Sequence, residues 1–293
     1  MNSEKSLLKA TLLVLAGFFC MAIMSVFLKA ATLHASPLWI NFFAYLVGLI
    51  LEFFVIAKEG FKSLKTKHFL LHFCRAFFGV GAGILYILSL DKISLLNATL
   101  LFNTTPLFIP FFTYYLLKSE ISLLTILSIL IGFIGIIIII RPTTSILDHS
   151  GDYIALGSGI SLALAYTFIK MLTPTESNSR IIFYFFLLAT LLQVPLIPYM
   201  GQLPSQHDLL FAICAGIAFF FAQWFIVKAY SLAEAAKIGI FQYTSILYVA
   251  ILDWIIWNVV PTKSDFIGAF LVILAGTLII TSPLWQKTAK KPL

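Results

Sequence analysis

Polar side chains that could contact a solute are scarce in this sequence, and several lie within long apolar stretches. Thr99, Asn103, Pro106 and Pro110 follow one another at spacings of four, three and four residues, which places them on one face of a helix. Each proline removes a backbone donor and leaves an upstream carbonyl without its helical partner. In lipid, such groups are tolerated only against protein or a wet cavity. The face therefore predicts either the wall of a substrate cavity or a kink that packs against a neighbouring helix.

Six further residues bring polarity or aromatic rings into apolar stretches. An amide beside a large ring suits a polar organic ligand, and polar groups at bilayer depth are functional candidates by default. The same side chains could instead bond between helices, face lipid or lie at the membrane interface. These additional cavity candidates are Gln223, Trp224, Gln242, Tyr243, Tyr86 and Tyr166.

Charged residues within or at the edge of the apolar stretches form a second group. Lys29, Arg75 and Lys170 are candidates for a gate or an anion-attracting mouth, although long basic side chains also extend to headgroups as simple anchors. Glu52 and Asp253 lie more than a turn inside their stretches. A carboxyl group held away from water keeps its proton more readily, so these two acids are candidates for proton coupling.

No catalytic, metal or cofactor motif accompanies these candidates. The histidines lack metal-ligand spacing, and Cys20, Cys74 and Cys214 are too widely separated to indicate a zinc site or a disulfide. No glycine-rich loop follows a strand and precedes a helix, as a nucleotide site requires. The sequence therefore predicts no catalytic residues, no metal and no cofactor.

The elements that must position these residues follow from composition. The 293-residue chain is 61% hydrophobic and 11% charged, with a mean hydropathy of +1.03, whereas a soluble domain carries roughly 25% charged residues. Its apolar runs are each long enough to cross a hydrocarbon core of about 30 Å as a helix. We predict ten membrane spans, at residues 8–31, 38–57, 69–90, 95–117, 122–140, 153–172, 180–200, 209–230, 235–257 and 264–281.

The basic residues indicate how the chain is oriented. Of the 19 lysines and arginines, fifteen fall on the side of the N-terminus if the spans alternate, which predicts that both termini are cytoplasmic. The net charge of +7 is scattered singly over span ends and forms no basic face, so nucleic acid is not an expected partner. The expected location is a lipid bilayer, specifically a bacterial inner membrane.

The two halves of the sequence resemble each other. Phe27-Leu28-Lys29 closes the first span and Phe168-Ile169-Lys170 closes the sixth, 141 residues later. Five spans per half is an odd number, so the second copy must enter the membrane from the opposite side. We therefore predict two inverted repeats, 1–142 and 143–293, an arrangement that suits a carrier opening alternately to each side.

Several short runs also carry a family likeness. They are Arg75-Ala76-Phe77-Phe78-Gly79, Ser89-Leu90, Leu95-Leu96-Asn97-Ala98-Thr99, Thr105-Pro106-Leu107, Glu120, Phe241-Gln242-Tyr243-Thr244-Ser245-Ile246-Leu247, Gly268-Ala269 and Ala275-Gly276. Together they resemble the EamA type of the drug/metabolite transporter superfamily. The resemblance implies a basket of helices in which spans one, three, four, six, eight and nine surround a central cavity. Asn97, Gln242 and Asn258 stand where this family often has carboxylates, which argues against a strongly cationic substrate or an acid-based proton relay at those positions.

The sequence thus predicts an all-α integral membrane protein, with ten transmembrane helices as two inverted five-helix repeats around a central cavity. The leading functional hypothesis is a secondary transporter, and not an enzyme, that moves a small polar or amphipathic metabolite by alternating access. An amino acid or a derivative such as S-adenosylmethionine would suit amides and aromatic rings with little fixed charge. The alternative is a lipid-handling flippase or an intramembrane enzyme. The chain is expected to act as a monomer or homodimer.

Overall fold

The computed structural model describes residues 2–31, 35–90, 92–93, 95–140, 150–258, 260 and 262–289. Within these residues the chain is helical and contains no strand. Eight helical segments of the described chain are long and apolar enough to cross a membrane, and Leu123–Ile139 is a further, shorter apolar helix. The predicted all-helical membrane fold is therefore confirmed, while the count of ten crossings stays a prediction.

Each predicted run falls on one helix or on a succession of shorter ones. The α-helices are α1 (Asn2–Ala31), α2 (Pro37–Glu59), α3 (Phe69–Leu90), α4 (Leu95–Phe102), α5 (Thr105–Leu117), α6 (Leu123–Ile140), α7 (Ser150–Leu172), α8 (Asn178–Gln193), α9 (Gln206–Leu232), α10 (Ala235–Gly239), α11 (Thr244–Trp257) and α12 (Lys263–Ala289). Short 3-10 helices occupy Phe61–Leu64, Val194–Tyr199 and Ile240–Tyr243.

Hydrogen bonds between helix ends define two faces of the bundle. At the face where α1 begins, here called the proximal face, Ser6 Oγ donates to the Leu232 carbonyl (2.7 Å) at the end of α9. Ser179 Oγ, at the start of α8, donates to Glu59 (2.8 Å) at the end of α2. At the opposite, distal face, Trp39 Nε1 donates to the Gly201 carbonyl (3.1 Å). Helices α1 and α2 therefore run in opposite directions, and so do α8 and α9.

Helix pairings repeat between the two halves. The most extensive contacts are α1 with α9, α3 with α7, and α6 with α12. If each helix is exchanged for its counterpart in the other half, α1–α9 becomes α7–α3 and α2–α9 becomes α8–α3, and all four pairings occur. The pairings α2–α8 and α6–α12 are unchanged by this exchange. The core thus lies between the halves rather than within either of them.

Two glycines let α6 and α12 approach each other closely. A β-carbon on Gly135 would lie 2.8 Å from the Gly268 carbonyl oxygen, and one on Gly268 would lie 2.5 Å from the Gly135 carbonyl oxygen. Small residues at such crossings allow backbone contact between membrane helices, where no hydrophobic force drives association. The fifth predicted span therefore packs directly on the tenth.

Candidate functional site

The fourth predicted span is broken where its polar face begins. Helix α4 ends at Phe102 and α5 starts at Thr105, with Pro106 in its first turn, because proline cannot supply the donor that a continuous helix would need there. The Phe102 carbonyl accepts a hydrogen bond from Thr105 Oγ1 (2.8 Å), and Thr104 Oγ1 donates to the Leu101 carbonyl (2.6 Å). The Thr105 hydroxyl therefore satisfies the Phe102 carbonyl, which Pro106 leaves without its helical donor.

Asn103 lies in this break with half of its amide unused. Its Nδ2 donates to the Thr99 carbonyl (2.9 Å), while Oδ1 accepts no hydrogen bond within the described residues. The side chain is 4% exposed. The Thr99 hydroxyl shares a hydrogen bond of 2.9 Å with Tyr86 of α3, whose ring lies 5.1 Å from that of Phe102. Thr99, Asn103, Pro106 and Tyr86 are thus brought together around the first break.

The ninth predicted span is interrupted 137 residues further on, where the α-helix tightens into one 3-10 turn while the backbone stays helical. A 3-10 segment, Ile240–Tyr243, separates α10 from α11. Here too hydroxyls satisfy carbonyls, because Thr244 Oγ1 donates to Phe241 (2.6 Å) and Ser245 Oγ to Gln242 (2.7 Å). Gln242 is 3% exposed, and neither of its amide atoms finds a partner in the described structure; the same holds for the Tyr243 hydroxyl. A buried polar group without a partner costs about 1–3 kcal/mol, so this segment is unsatisfied without water or a ligand.

Arg75 of α3 is enclosed in the protein rather than placed at the membrane interface. It is 2% exposed, and its Nη2 donates to the Gln223 amide oxygen of α9 (2.8 Å). Its guanidinium carbon lies 3.8 Å from the centre of the Phe185 ring of α8. The electrostatic neighbours of Arg75 are the phenols Tyr166 of α7, Tyr45 of α2 and Tyr230 of α9. The interpretation of Arg75 as an interfacial anchor is therefore wrong.

One of these phenols joins the two groups of buried polar residues. The Tyr230 ring lies 5.4 Å from the Tyr166 ring, and a β-carbon on Gly239 of α10 would lie 3.5 Å from the Tyr230 hydroxyl. Tyr230 therefore lies between the surroundings of Arg75 and the break in the ninth predicted span, in contact with both. We call the residues Arg75, Gln223, Tyr45, Tyr166, Tyr230 and Phe185 the arginine cluster.

Three candidates lie elsewhere. Trp224 is 40% exposed and continues a stripe of exposed apolar side chains on α9 (Leu210, Ile213, Ile217 and Phe221), so it lies on the outer face and not beside Gln223. Lys29 is exposed. Lys170 donates to the carbonyls of Tyr230 (3.0 Å) and Ala233 (2.8 Å), so its charge is engaged by the carboxyl end of α9. Lys170 is thus a helix cap and not a headgroup anchor.

The two acids considered for proton coupling differ in what the structure shows. Glu52 is fully buried on the face of α2 that also carries Gly48 and Ile56, and neither carboxyl oxygen has a hydrogen-bond partner in the described residues. Asp253 falls in α11, but its side chain lies outside the described residues. A proton relay through these residues stays a prediction.

A polar cluster at the proximal face ties the α2–α3 link to the second half. Glu176, between α7 and α8, accepts hydrogen bonds from Thr66 Oγ1 (2.7 Å) and from Arg180 Nη1, and it lies 3.8 Å from His72 Nε2. Arg180 Nε also donates to the Ser63 carbonyl. Burial raises the pKa of Glu176, but the hydrogen bonds from Thr66 and Arg180, together with the positive charge of Arg180 and the neighbouring His72, outweigh it, so the net pKa is lowered. Sequence reasoning missed this cluster because Thr66 and Glu176 lie in two connections far apart in the chain, and no spacing pattern relates them.

The Glu176→Gln variant is expected to lower the thermal unfolding midpoint at neutral pH, with a loss of about 2 kcal/mol, because it removes the negative charge and replaces one of the two acceptor oxygens by a donor. A lowered pKa in the folded state stabilises the protein above the unfolded pKa, and that stability is lost as the pH falls through the folded value. The difference between variant and wild type should therefore disappear at acid pH. Glu234→Gln, which affects an exposed pair with Lys237, is the control and should change little. Equal midpoints at neutral pH would contradict this role of Glu176.

The arrangement as a whole defines a class of protein, namely an all-helical membrane protein whose two halves meet at broken helices and buried, unsatisfied polar groups. The chain belongs to the EamA-like transporter family, which matches it twice, over residues 8–141 and 149–281. This confirms the resemblance to the drug/metabolite transporter superfamily.

Relatives and a solved structure extend this comparison. The chain is 25% identical to a pseudopaline exporter of Pseudomonas aeruginosa over 267 residues (90% of this chain, 93% of the relative). It is 26% identical to an S-adenosylmethionine uptake transporter of Rickettsia prowazekii over 246 residues (83% and 82%), and 26% identical to a riboflavin transporter of Vibrio cholerae over 220 residues (74% and 74%). A solved crystal structure superposes with a TM-score of 0.82 at 14% identity, covering 96% of this chain and 99% of that one, which shows a shared fold.

Proposed function

We propose that the protein is a secondary transporter that moves a small polar or amphipathic metabolite across the membrane by alternating access of the halves 1–142 and 143–293. The observation that carries this proposal is the pair of interrupted helices, α4–α5 and α10–α11, where the Asn103 amide oxygen and both amide atoms of Gln242 are buried without a partner in the described residues. Discontinuous helices at matching points of two repeats are the usual position of a transporter's binding site.

The chemistry of the buried residues favours an amino acid or an amino-acid derivative, S-adenosylmethionine included. Two amides and several phenols offer hydrogen bonds in both directions, and aromatic rings attract a cationic group. The relatives are named as transporters of pseudopaline, S-adenosylmethionine and riboflavin, which supports a small organic solute but selects none of them. The proposed setting is a bacterial inner membrane with both termini in the cytoplasm.

Uptake into proteoliposomes tests the proposal. The purified full chain is reconstituted, and accumulation of radiolabelled amino acids, nucleosides and S-adenosylmethionine is compared with protein-free vesicles. Asn103→Ala and Gln242→Ala are expected to raise the KM for the transported solute about 3–10-fold, because each removes one hydrogen bond to it. Gln202→Ala, which alters an exposed amide, is the matched control.

The same vesicles distinguish the alternatives. Translocation of a fluorescent lipid in the absence of any solute uptake would replace metabolite transport by lipid flipping, and chemical conversion of a solute would indicate an enzyme. Uptake that does not respond to a collapsed pH gradient would remove Glu52 and Asp253 from a proton relay and leave exchange or facilitated diffusion.

A further inference from the structure

We propose that Arg75 binds the carboxylate of the transported solute, so that the substrate class is a small organic monoanion or a zwitterion with a free carboxylate. This inference rests on the proposed transport function and deepens it. The sequence pattern alone left Arg75 as an anchor or a gate residue, and the structure provides three reasons to assign it to ligand binding.

The first reason is the direction of the side chain. Helix α3 begins at the proximal face, and a β-carbon on Gly79, one turn further into the bundle, would lie 2.6 Å from Arg75 Nη1. The guanidinium thus folds over Gly79 toward the interior of the membrane. A basic anchor would extend the other way, toward headgroups and water. Gly83, one turn further along α3, does not have this role, because a β-carbon there would meet nothing within 4 Å.

The second reason is the missing counter-charge. Arg75 is the only lysine or arginine that is buried among the side chains the structure describes, and none of the described carboxylates forms an ion pair with it. Its polar neighbours are an amide and phenols, and Nε donates to no acceptor in the described structure. Transfer of an unpaired charge into a low-dielectric interior is strongly unfavourable, and such residues in membranes mark ligand or ion pathways.

The third reason is the match of charge and shape. A single guanidinium is neutralised by one monoanion, and its planar fork of N–H groups fits the two oxygens of a carboxylate. A phosphate dianion would require a second base, but Lys170, which contacts the backbone of Tyr230, is engaged by the end of α9. The neighbouring phenols and the Gln223 amide can bond the remaining lone pairs of a carboxylate or the rest of the solute.

Matched acids and amides test the assignment by binding alone. Thermal unfolding of the full chain in detergent is measured with acetate and acetamide, leucine and leucinamide, and phenylalanine and phenylalaninamide, together with inorganic phosphate. We expect at least one acid to raise the midpoint at a concentration where its amide does not. In Arg75→Gln the half-saturating concentration of that acid should rise about 10–100-fold, and Arg75→Lys should retain part of the effect.

Further variants separate a lost site from a lost fold. Gly79→Ala keeps the charge but displaces the guanidinium and should weaken acid binding, whereas Gly83→Ala on the same helix and Lys62→Gln at an exposed position should not. Equal effects of acids and amides on the wild type, stabilisation by phosphate alone, or an unchanged Arg75→Gln response would overturn the assignment. Acid binding without uptake in vesicles would contradict the transport function but support the carboxylate site at Arg75. Uptake with no preference for carboxylates would support transport but contradict the assignment of Arg75.

Discussion

Replacing Gln223 by leucine is expected to lower the stability of the protein by about 3 kcal/mol. The Gln223 amide oxygen is the acceptor for Arg75 Nη2, and both side chains are buried. Leucine fills a similar volume but removes the acceptor, so a charged donor is left unsatisfied in the interior. Loss of a partner to a buried charged group is among the most unfavourable single changes in a protein.

The opposite change at the same position provides the sharper test. Gln223→Glu places a carboxylate where the amide oxygen now accepts from Arg75, so the variant should be at least as stable as the wild type. The internal carboxylate would also occupy the guanidinium, and added acids should then no longer raise the unfolding midpoint. Gln202→Leu, in an exposed link, controls for the loss of an amide as such.

Both outcomes can be read with the protein's own thiols. Cys20, Cys74 and Cys214 are free and partly buried, so a thiol-reactive dye reports unfolding as the temperature rises. If Gln223→Leu and Gln223→Glu both unfold at the same temperature as the wild type, the hydrogen bond between Arg75 of α3 and Gln223 of α9 does not contribute to the stability of the fold.

The second large effect is expected at Gly159 of α7, which packs against the break between α4 and α5. A β-carbon there would lie 2.7 Å from the Leu101 carbonyl oxygen, 2.7 Å from Thr104 Oγ1 and 3.0 Å from the Phe102 carbonyl oxygen. Two of these atoms are backbone, so the neighbour cannot rotate away. Thr105 Oγ1 also donates to the Gly159 carbonyl (3.0 Å) and would lose that bond if the helices separated.

Gly159→Ala is therefore expected to destabilise the protein by about 1–3 kcal/mol and to abolish most of its transport. Gly157→Ala on the same helix is the matched control, because its β-carbon would lie 3.8 Å from Leu85 Cδ1, an ordinary contact. Both variants gain the same helix propensity from alanine, so the difference between them isolates the contact. A Gly159→Ala protein with a normal unfolding midpoint and normal uptake would show that the break tolerates a shift of α7.

Helix positions could be predicted from the sequence because hydropathy determines what lies in a bilayer. The third run, 69–90, coincides with α3, and 122–140 differs from α6 by one residue. Breaks inside a run are harder to see, since hydropathy does not record which carbonyls lose their partners. The pair of prolines indicated the first break, but no proline lies at Ile240–Tyr243, where three-dimensional packing of Tyr243 against Gly132 accompanies the second.

The site was predictable only in part, for a related reason. Polar residues inside apolar runs are conspicuous, so Asn103, Gln242 and Gln223 could be selected from the sequence, and all three are buried. Tyr45, Tyr230 and Phe185 could not, because aromatic residues are common throughout the spans and only the fold brings these three to Arg75. Trp224 shows the converse, since a residue adjacent to a buried amide in a helix points about 100° away from it.

The glycine contact between α6 and α12 restricts how the two halves can move. Each helix presents a carbonyl to the bare α-carbon of the other at Gly135 and Gly268, so sliding by half a turn would bring a side chain against backbone. Shear along this crossing is therefore blocked, whereas rotation about it keeps the two glycines in contact. Conformational change in this protein should resemble a rocker with a fixed pivot at α6 and α12, and the largest displacements should occur in the helices furthest from that point.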